Sequence, residues 1–308
     1  MSRLEIETNG FHSEGQMDEE FEEISIEVPW GHIVGKWWGR KDIQPVLAIH
    51  GWQDNAGTFD TLAPLLIGPK VSILCIDLPG HGFSSHYPKG QTYYIFWDGV
   101  YHVRRIVKHF KWEKFSIMGH SLGGAIGFLY ASIYPDEVDK LISLDIVCPP
   151  VRDIISTMGE TIDLFFKYEA LKPEACPQYE YDDMIDITVD GHNNKLTRAS
   201  CEILMRRGMR PTPEDKSIYR FTRDIRLKSS IMSALTLEQA YAFAVRISCN
   251  VLNIRATIHS IQLEYYESVL DKIRTNAKVE YHLVNGTHHV HLNNPERVSG
   301  IISKFLKS

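Results

Sequence analysis

The stretch K-F-S-I-M-G-H-S-L-G-G-A-I-G-F-L-Y, residues 114–130, limits what this chain can fold into more than any other. An apolar run ends at Met118, a glycine-flanked turn follows, and small residues then continue at helical spacing. The chain must therefore pass from a buried strand straight into a closely packed helix. Within the turn, Gly119-His120-Ser121-Leu122-Gly123 matches G-x-S-x-G, the pattern that exposes a serine hydroxyl on a sharp strand-to-helix bend. Glycines at 119 and 123 lack the Cβ atoms that would hold the two backbones apart. The helix N-terminus below Ser121 favours negative charge developing above it. Ser121 is thus the candidate nucleophile. An ordinary glycine turn is the competing account of a bare pentapeptide, and the flanking strand and helix argue against it.

The flanking sequence supplies the sheet that such a turn needs. P-V-L-A-I-H-G (45–51), V-S-I-L-C-I-D (71–77), K-F-S-I-M-G (114–119) and L-I-S-L-D-I (141–146) are continuous apolar runs. Strands apolar on both faces belong inside a parallel sheet covered by helices on each side. Upstream, E-E-I-S-I-E-V-P-W and G-H-I-V-G-K-W-W-G predict an antiparallel hairpin. Val100, Val103, Val107 and Phe110 mark a helix ending near Trp112, and Val298, Ile301, Ile302, Phe305 and Leu306 mark another after Pro295. The strand–helix rhythm stops near residue 149 and resumes at Asn250 with V-L-N-I-R, ending on K-V-E-Y-H-L-V (278–284). These patterns predict an α/β fold whose core is residues 21–148 and 249–308. A helical cap, residues 149–248, is inserted after the sixth strand, and a flexible acidic tail, residues 1–20, precedes the core.

Composition narrows the function. A formal charge of −6 argues against nucleic acid as a partner. No apolar run is long enough for a membrane span. The five cysteines are scattered and odd in number, without metal-ligand spacing; with no signal peptide this predicts reduced thiols and a cytoplasmic location. The terminal L-K-S does not match the peroxisomal address. There is no phosphate loop or dinucleotide fingerprint, and the glycines of D-L-P-G-H-G make a turn, so no cofactor and no metal are expected.

A serine hydroxyl at neutral pH needs a base to take its proton, and histidine has a suitable pKa. N-G-T-H-H-V-H-L-N-N-P-E (285–296) offers His288, His289 and His291 at the end of the last strand. His288 is the preferred base and His289 the runner-up, while His81 and His120 are taken as turn or packing residues. The loop I-H-G-W-Q-D-N-A (49–56) follows the first parallel strand, and its Trp52 N–H, with that of Leu122, is positioned to receive an oxyanion. Asp54 or Asn55 is assigned to capping the next helix.

Together H-G-W-Q-D-N, D-L-P-G-H-G-F-S, G-H-S-L-G-G and N-G-T-H-H-V-H-L-N-N-P-E resemble the α/β-hydrolase superfamily. V-D-K-L-I-S-L-D and the acid-free late strand resemble, within it, the serine hydrolase-like (kraken-type) proteins of animals. In that pattern the histidine lies seven residues before the proline of the final helix, which selects His288. The acid is the anomaly. A-T-I-H-S (256–260) stands where the superfamily usually carries an aspartate, and His259 cannot orient an imidazole as a carboxylate does. Glu264 and Glu267 follow on a helix. Asp145, ending L-I-S-L-D on the strand after the nucleophile's own, is the better candidate, because parallel strands deliver their ends to one ligand-binding edge. Capping a turn, or pairing with an arginine, is the competing role for Asp145.

The resulting expectation is a cofactor-independent hydrolase of small apolar acyl esters that works through an acyl-enzyme. The alternative is an inactive relative that binds small molecules. Phe165, Phe166, Tyr168, Tyr219 and Tyr241 of the cap either line a pocket or hold helices together. Arg206, Arg207, Arg210, Arg220, Arg223 and Arg226 either form a solvated face or draw in anionic substrates.

Overall fold

A computed structural model describes residues 21–93, 95–172, 175–193, 195–229, 233–258 and 263–308. The expected tail, and His259 with it, lie outside the described residues. The chain opens with β1 (Phe21–Val28) and β2 (Gly31–Trp38), paired antiparallel with Ile24 opposite Gly35. There follow β3 (Val46–Ile49), α1 (Ala63–Leu66), β4 (Ile73–Ile76), α2 (Phe96–Phe110), β5 (Phe115–His120), α3 (Leu122–Ile133) and β6 (Val138–Leu144). An insertion carries α4 (Ile155–Glu169), β7 (Tyr179–Glu180), α5 (Tyr181–Gly191), α6 (Arg198–Gly208), β8 (Met209–Pro211), β9 (Ile218–Phe221) and α7 (Leu237–Ala244). The chain closes with β10 (Asn250–Ile258), α8 (Leu263–Arg274), β11 (Val279–Thr287), α9 (Val290–Asn293) and α10 (Glu296–Lys307).

The main sheet has the order β1-β2-β4-β3-β5-β6-β10-β11, antiparallel only where β1 meets β2 and β2 meets β4. Its pleat sends successive side chains to opposite faces. In β3, Leu47 and Ile49 join one apolar cluster, with α2, α3, α7 and α8, while Val46 and Ala48 join the other, with α1 and α10. This two-sided burial explains why the central strands are continuous apolar runs and do not alternate. The helix expected around Val100 and Val107 is α2, whose Val103, Ile106 and Val107 are buried. The C-terminal helix is α10, begun by Pro295 at its N-cap.

The insertion holds the helices that periodicity indicates, including α7, which starts with a capping box between Thr236 and Gln239. It also holds a three-stranded antiparallel sheet, β7-β9-β8, that the sequence patterns did not indicate. Strands of two to four residues are too short to show alternation. Among the described residues no helix is long and apolar enough to cross a membrane.

One buried ion cluster ties the insertion to the sheet. Asp77, just past β4, accepts hydrogen bonds from the amides of Ala56 at 2.7 Å and Phe83 at 2.9 Å. Arg207 of α6 donates to the same carboxylate from Nη2 at 2.6 Å and also pairs with Glu23 of β1. Burial alone would push the Asp77 carboxyl up, but Arg207 and the two amides hold it below the usual carboxylate value. Arg207→Met is expected to cost about 3–5 kcal/mol in chemical denaturation at neutral pH, because it strands a buried charge. A carboxyl depressed in the folded state stabilises above its unfolded pKa of about 3.9, and that stabilisation is lost as pH falls through the folded value. The gap between parent and variant should therefore narrow below about pH 4; a gap that stays constant into acid would contradict this assignment.

Candidate active site

Ser121 leaves β5 with φ 48° and ψ −112°, a left-handed conformation uncommon outside glycine. Its N–H donates to the Leu144 carbonyl at 3.1 Å, and its carbonyl accepts from Ala125 at 3.0 Å. The bend is possible only because three backbones touch. A Cβ on Gly123 would lie 1.9 Å from the Ile49 carbonyl oxygen, and one on Gly119 would lie 2.1 Å from the Gly123 carbonyl carbon.

Asp145 directly follows β6, also left-handed at φ 54°. Its N–H donates to the Ile254 carbonyl at 2.7 Å, and its Oδ1 accepts from the Ala256 amide at 2.7 Å. Both partners belong to β10, which lies between β6 and β11 in the sheet. Asp145 Oδ2 thus reaches across the end of β10 to Nδ1 of His288, 2.6 Å away and just past β11. The strand lacking an acid contributes an amide that holds the acid of its neighbour. Of the other carboxylates weighed, Glu267 faces Arg274 of its own helix at 3.8 Å, and the Glu264 side chain lies outside the described residues.

Ser121, His288, Trp52 and Gln53 line one cavity of about 380 Å³, within the usual range for small-molecule sites. Among the described residues no hydrogen bond joins Ser121 to His288, a contact that commonly tightens only once substrate is bound. Leu122 begins α3, so its N–H belongs to the first turn, which has no partner within the helix. The loop bearing Trp52 is held by two histidines. His50 donates from Nδ1 to the Gly51 carbonyl at 2.6 Å and accepts the Leu78 amide at Nε2, while His81 accepts the Gln53 amide at 3.2 Å. Burial pushes His81 down to about 3, so it stays a neutral acceptor. The turn role assigned to His81 agrees with this contact.

His120 and Asp54 have more to do than their sequence assignments foresaw. Buried His120 donates from Nε2 to the His288 carbonyl at 2.9 Å, which ties the turn at Ser121 to the loop after β11. Asn55 alone takes the capping role, accepting from the Gly57 amide. Asp54 instead faces a group of histidines: His289 Nε2 at 3.2 Å, His120 Nδ1 at 3.5 Å and His192 Nε2 at 4.0 Å. Burial would push the Asp54 carboxyl up, but His289 and His120 hold it well below its ordinary value. Burial drives His120 down to about 3 and also lowers His289, leaving neutral rings around an ionised carboxylate. His291 is buried against Thr58, its Nε2 2.9 Å from the hydroxyl. His289 is therefore engaged by Asp54 and His291 by Thr58, and His288 is the one that meets Asp145.

The insertion forms one wall of the cavity through Ile187, Thr188, Gly191, His192, Phe221 and Arg223. None of the five aromatic residues singled out in the sequence lines it. Phe165 and Tyr219 are buried in packing, and Phe166 is 60% exposed. The arginines divide as well. Arg207 and Arg226 are ion-paired inside the protein, the latter to Asp224 at 2.7 Å, whereas Arg223 reaches the cavity and stacks on Phe221 at 3.9 Å. Burial pushes Arg223 down to about 10, still charged at neutral pH. A shallower depression of about 250 Å³ at the opposite edge of the sheet, among Gln44, Lys70 and Lys114, contains none of these residues.

Residues 44–181 match the α/β hydrolase fold family. A probable serine hydrolase of Drosophila melanogaster is 47% identical, over 99% of this chain and 95% of its own. The chain belongs to the serine hydrolase-like family of α/β hydrolases. A serine hydrolase-like protein of Danio rerio is 34% identical over 92% of this chain and 88% of its own. Among solved structures, a hypothetical protein of Pseudomonas aeruginosa superposes with a TM-score of 0.81 at 28% identity, over 93% of this chain and all of the other. The thioesterase domain from the curacin biosynthetic pathway superposes at 0.77 with 19% identity, over 94% and 99%, and shows the shared fold alone.

In this serine hydrolase-like chain the contact of Gly123 with Ile49 is backbone against backbone and cannot relax by a rotamer change. Gly123→Ala is expected to lose at least about 1–3 kcal/mol in thermal or chemical unfolding. Gly159→Ala, on exposed α4 with nothing within 4 Å of its added Cβ, should gain about 0.5–1 kcal/mol. Equal effects of the two substitutions would contradict the close approach at the bend.

Proposed function

We propose that the protein cleaves a carboxylic ester through an acyl-enzyme, with Ser121 as nucleophile, His288 as base and Asp145 as the acid that orients it. The observation that carries this reading is the 2.6 Å hydrogen bond between His288 Nδ1 and Asp145, beside Ser121 in one cavity. With Nδ1–H given to the carboxylate, His288 Nε2 is the nitrogen free to act as base. It takes the Ser121 proton as Oγ attacks the acyl carbon, then passes that proton to the departing alcohol. A water, deprotonated by the same nitrogen, attacks the acyl-enzyme and releases the acid. The Trp52 and Leu122 amides receive the negative oxygen, each such donor being worth about 3–4 kcal/mol.

Residues 149–248 act in this reading as a cap whose Ile187 and Phe221 accommodate a small apolar acyl group. Serine at 121 sets the chain apart from relatives that attack with an aspartate. The binding-protein alternative gains nothing from the geometry, because an idle site does not require the Asp145–His288 contact or the strained Ser121.

The test uses a p-nitrophenyl ester of a short acid and a fluorophosphonate probe. The parent should hydrolyse the ester with an initial burst and take up one probe per chain, both abolished in Ser121→Ala. Asp145→Asn should lower the turnover by about 10⁴-fold, as in other triads where the imidazole loses its orienting carboxylate. Parental turnover in Asp145→Asn would place the acid elsewhere, and a parent that neither turns over nor labels would favour the binding-protein reading.

A further inference from the structure

Asp54, His192 and His289 bring three possible ligand atoms within 4.8 Å of one another on the wall of the catalytic cavity. No sequence spacing announces the group. Asp54 comes from the loop after β3, His289 from the end of β11, and His192 from the C-cap of α5 in the insertion.

The hydrogen-bond pattern indicates what the cluster is suited to hold. His192 Nδ1 lies 2.8 Å from the Thr188 carbonyl, which can only accept, so Nδ1 carries a hydrogen and Nε2 is the nitrogen whose lone pair a metal ion would take. That nitrogen faces Asp54 Oδ1 across 4.0 Å, and Oδ1 is buried without a hydrogen-bond partner. His120 repeats the arrangement: its Nε2–H goes to the His288 carbonyl, and its buried Nδ1 faces Asp54 Oδ2 at 3.5 Å. His289 Nε2 meets Asp54 Oδ2 at 3.2 Å, but Asp54 Oδ1 and His120 Nδ1 remain buried without hydrogen-bond partners, which is costly for buried polar groups.

We propose that Asp54, His192 and His289 form a binding site for a borderline divalent cation such as Zn²⁺. Two imidazoles and a carboxylate are the donors such ions favour, and the Thr188 carbonyl supplies the outer partner that fixes a ligating histidine. At about 2.0–2.2 Å from the metal, neighbouring donors of a tetrahedral ion sit roughly 3.3 Å apart. Asp54 Oδ2 already stands 3.2 Å from His289 Nε2, while His192 Nε2 lies 4.0 Å from the other oxygen, Oδ1, so binding draws in three donors that now lie within 4.8 Å of one another. His289 then carries its hydrogen on Nδ1. Arg223 lines the same cavity and opposes a dication, so Arg223→Met should tighten binding.

The ion joins the insertion to the core across the cavity that contains Ser121. Occupancy therefore clamps the wall and slows access to the serine. This consequence rests on the reading of Ser121 as nucleophile, whereas binding itself does not.

Chelator-treated full-length protein would be titrated with Zn²⁺ against a chromogenic chelator, and with Co²⁺ while its visible absorption is followed. One equivalent per chain is expected, with a Co²⁺ spectrum of low coordination number. His192→Ala, which removes a half-exposed side chain, should weaken Zn²⁺ binding at least about tenfold, the lower limit of what even outer ligand partners contribute. Asp54→Asn should act in the same direction, and His109→Ala, exposed on α2, should change nothing. Wild-type binding no tighter than that of a folded His192→Ala would overturn the site, as would a loss produced by His109→Ala. Zn²⁺ should also slow fluorophosphonate labelling of the parent but not of His192→Ala. Tight binding with unchanged labelling would overturn the clamp. Absence of labelling in the metal-free parent would overturn the reading of Ser121 and leave the metal site standing.

Discussion

Three stretches of main chain touch at the end of β5, and the candidate site is arranged around that contact. Gly119, Gly123 and the carbonyl of Ile49 lie so close that no side chain fits between them. The approach forces Ser121 into a left-handed conformation, lifts it to the sheet edge and sets the start of α3 beneath it. The same edge collects the loop of Trp52, the end of β6 and the end of β11, because parallel strands all point their C-terminal ends the same way. A rigid bend is needed for the chemistry proposed here, since a nucleophile held loosely would surrender most of the advantage of orientation.

The position of the acid follows from the sheet order. A carboxylate at the end of β10 would lie beside the histidine, and this chain has Ala256 and Thr257 there. The carboxylate that meets His288 comes from one strand further in: Asp145 turns over the end of β10, held by the Ile254 carbonyl and the Ala256 amide. Two hydrogen bonds of 2.7 Å to the neighbouring backbone hold it there.

The sheet and its flanking helices were legible because two-sided burial writes long apolar runs, and because glycine has few reasons to stand on both sides of a serine. Ser121, His288 and Asp145, the proposed triad, stood out as candidates for a related reason: each stands at the end of such a run. The small sheet of the insertion was not legible, since three short strands carry no period. The cavity wall was not legible either. Ile187 and Phe221 look like any other apolar residue of a helix or strand, while the more conspicuous Phe166 points to solvent. Of the two capping candidates Asn55 takes the role, and only folding brings His192 and His289 to Asp54.

The central claim is that Asp145 acts on Ser121 solely by orienting His288. A double-mutant cycle on the fluorophosphonate labelling rate, combining Asp145→Asn with His288→Ala, tests it most directly. If the claim holds, either substitution alone slows labelling severely and the second adds almost nothing to His288→Ala. Effects that multiply would show that the two residues work independently, and the acid would have to be sought elsewhere.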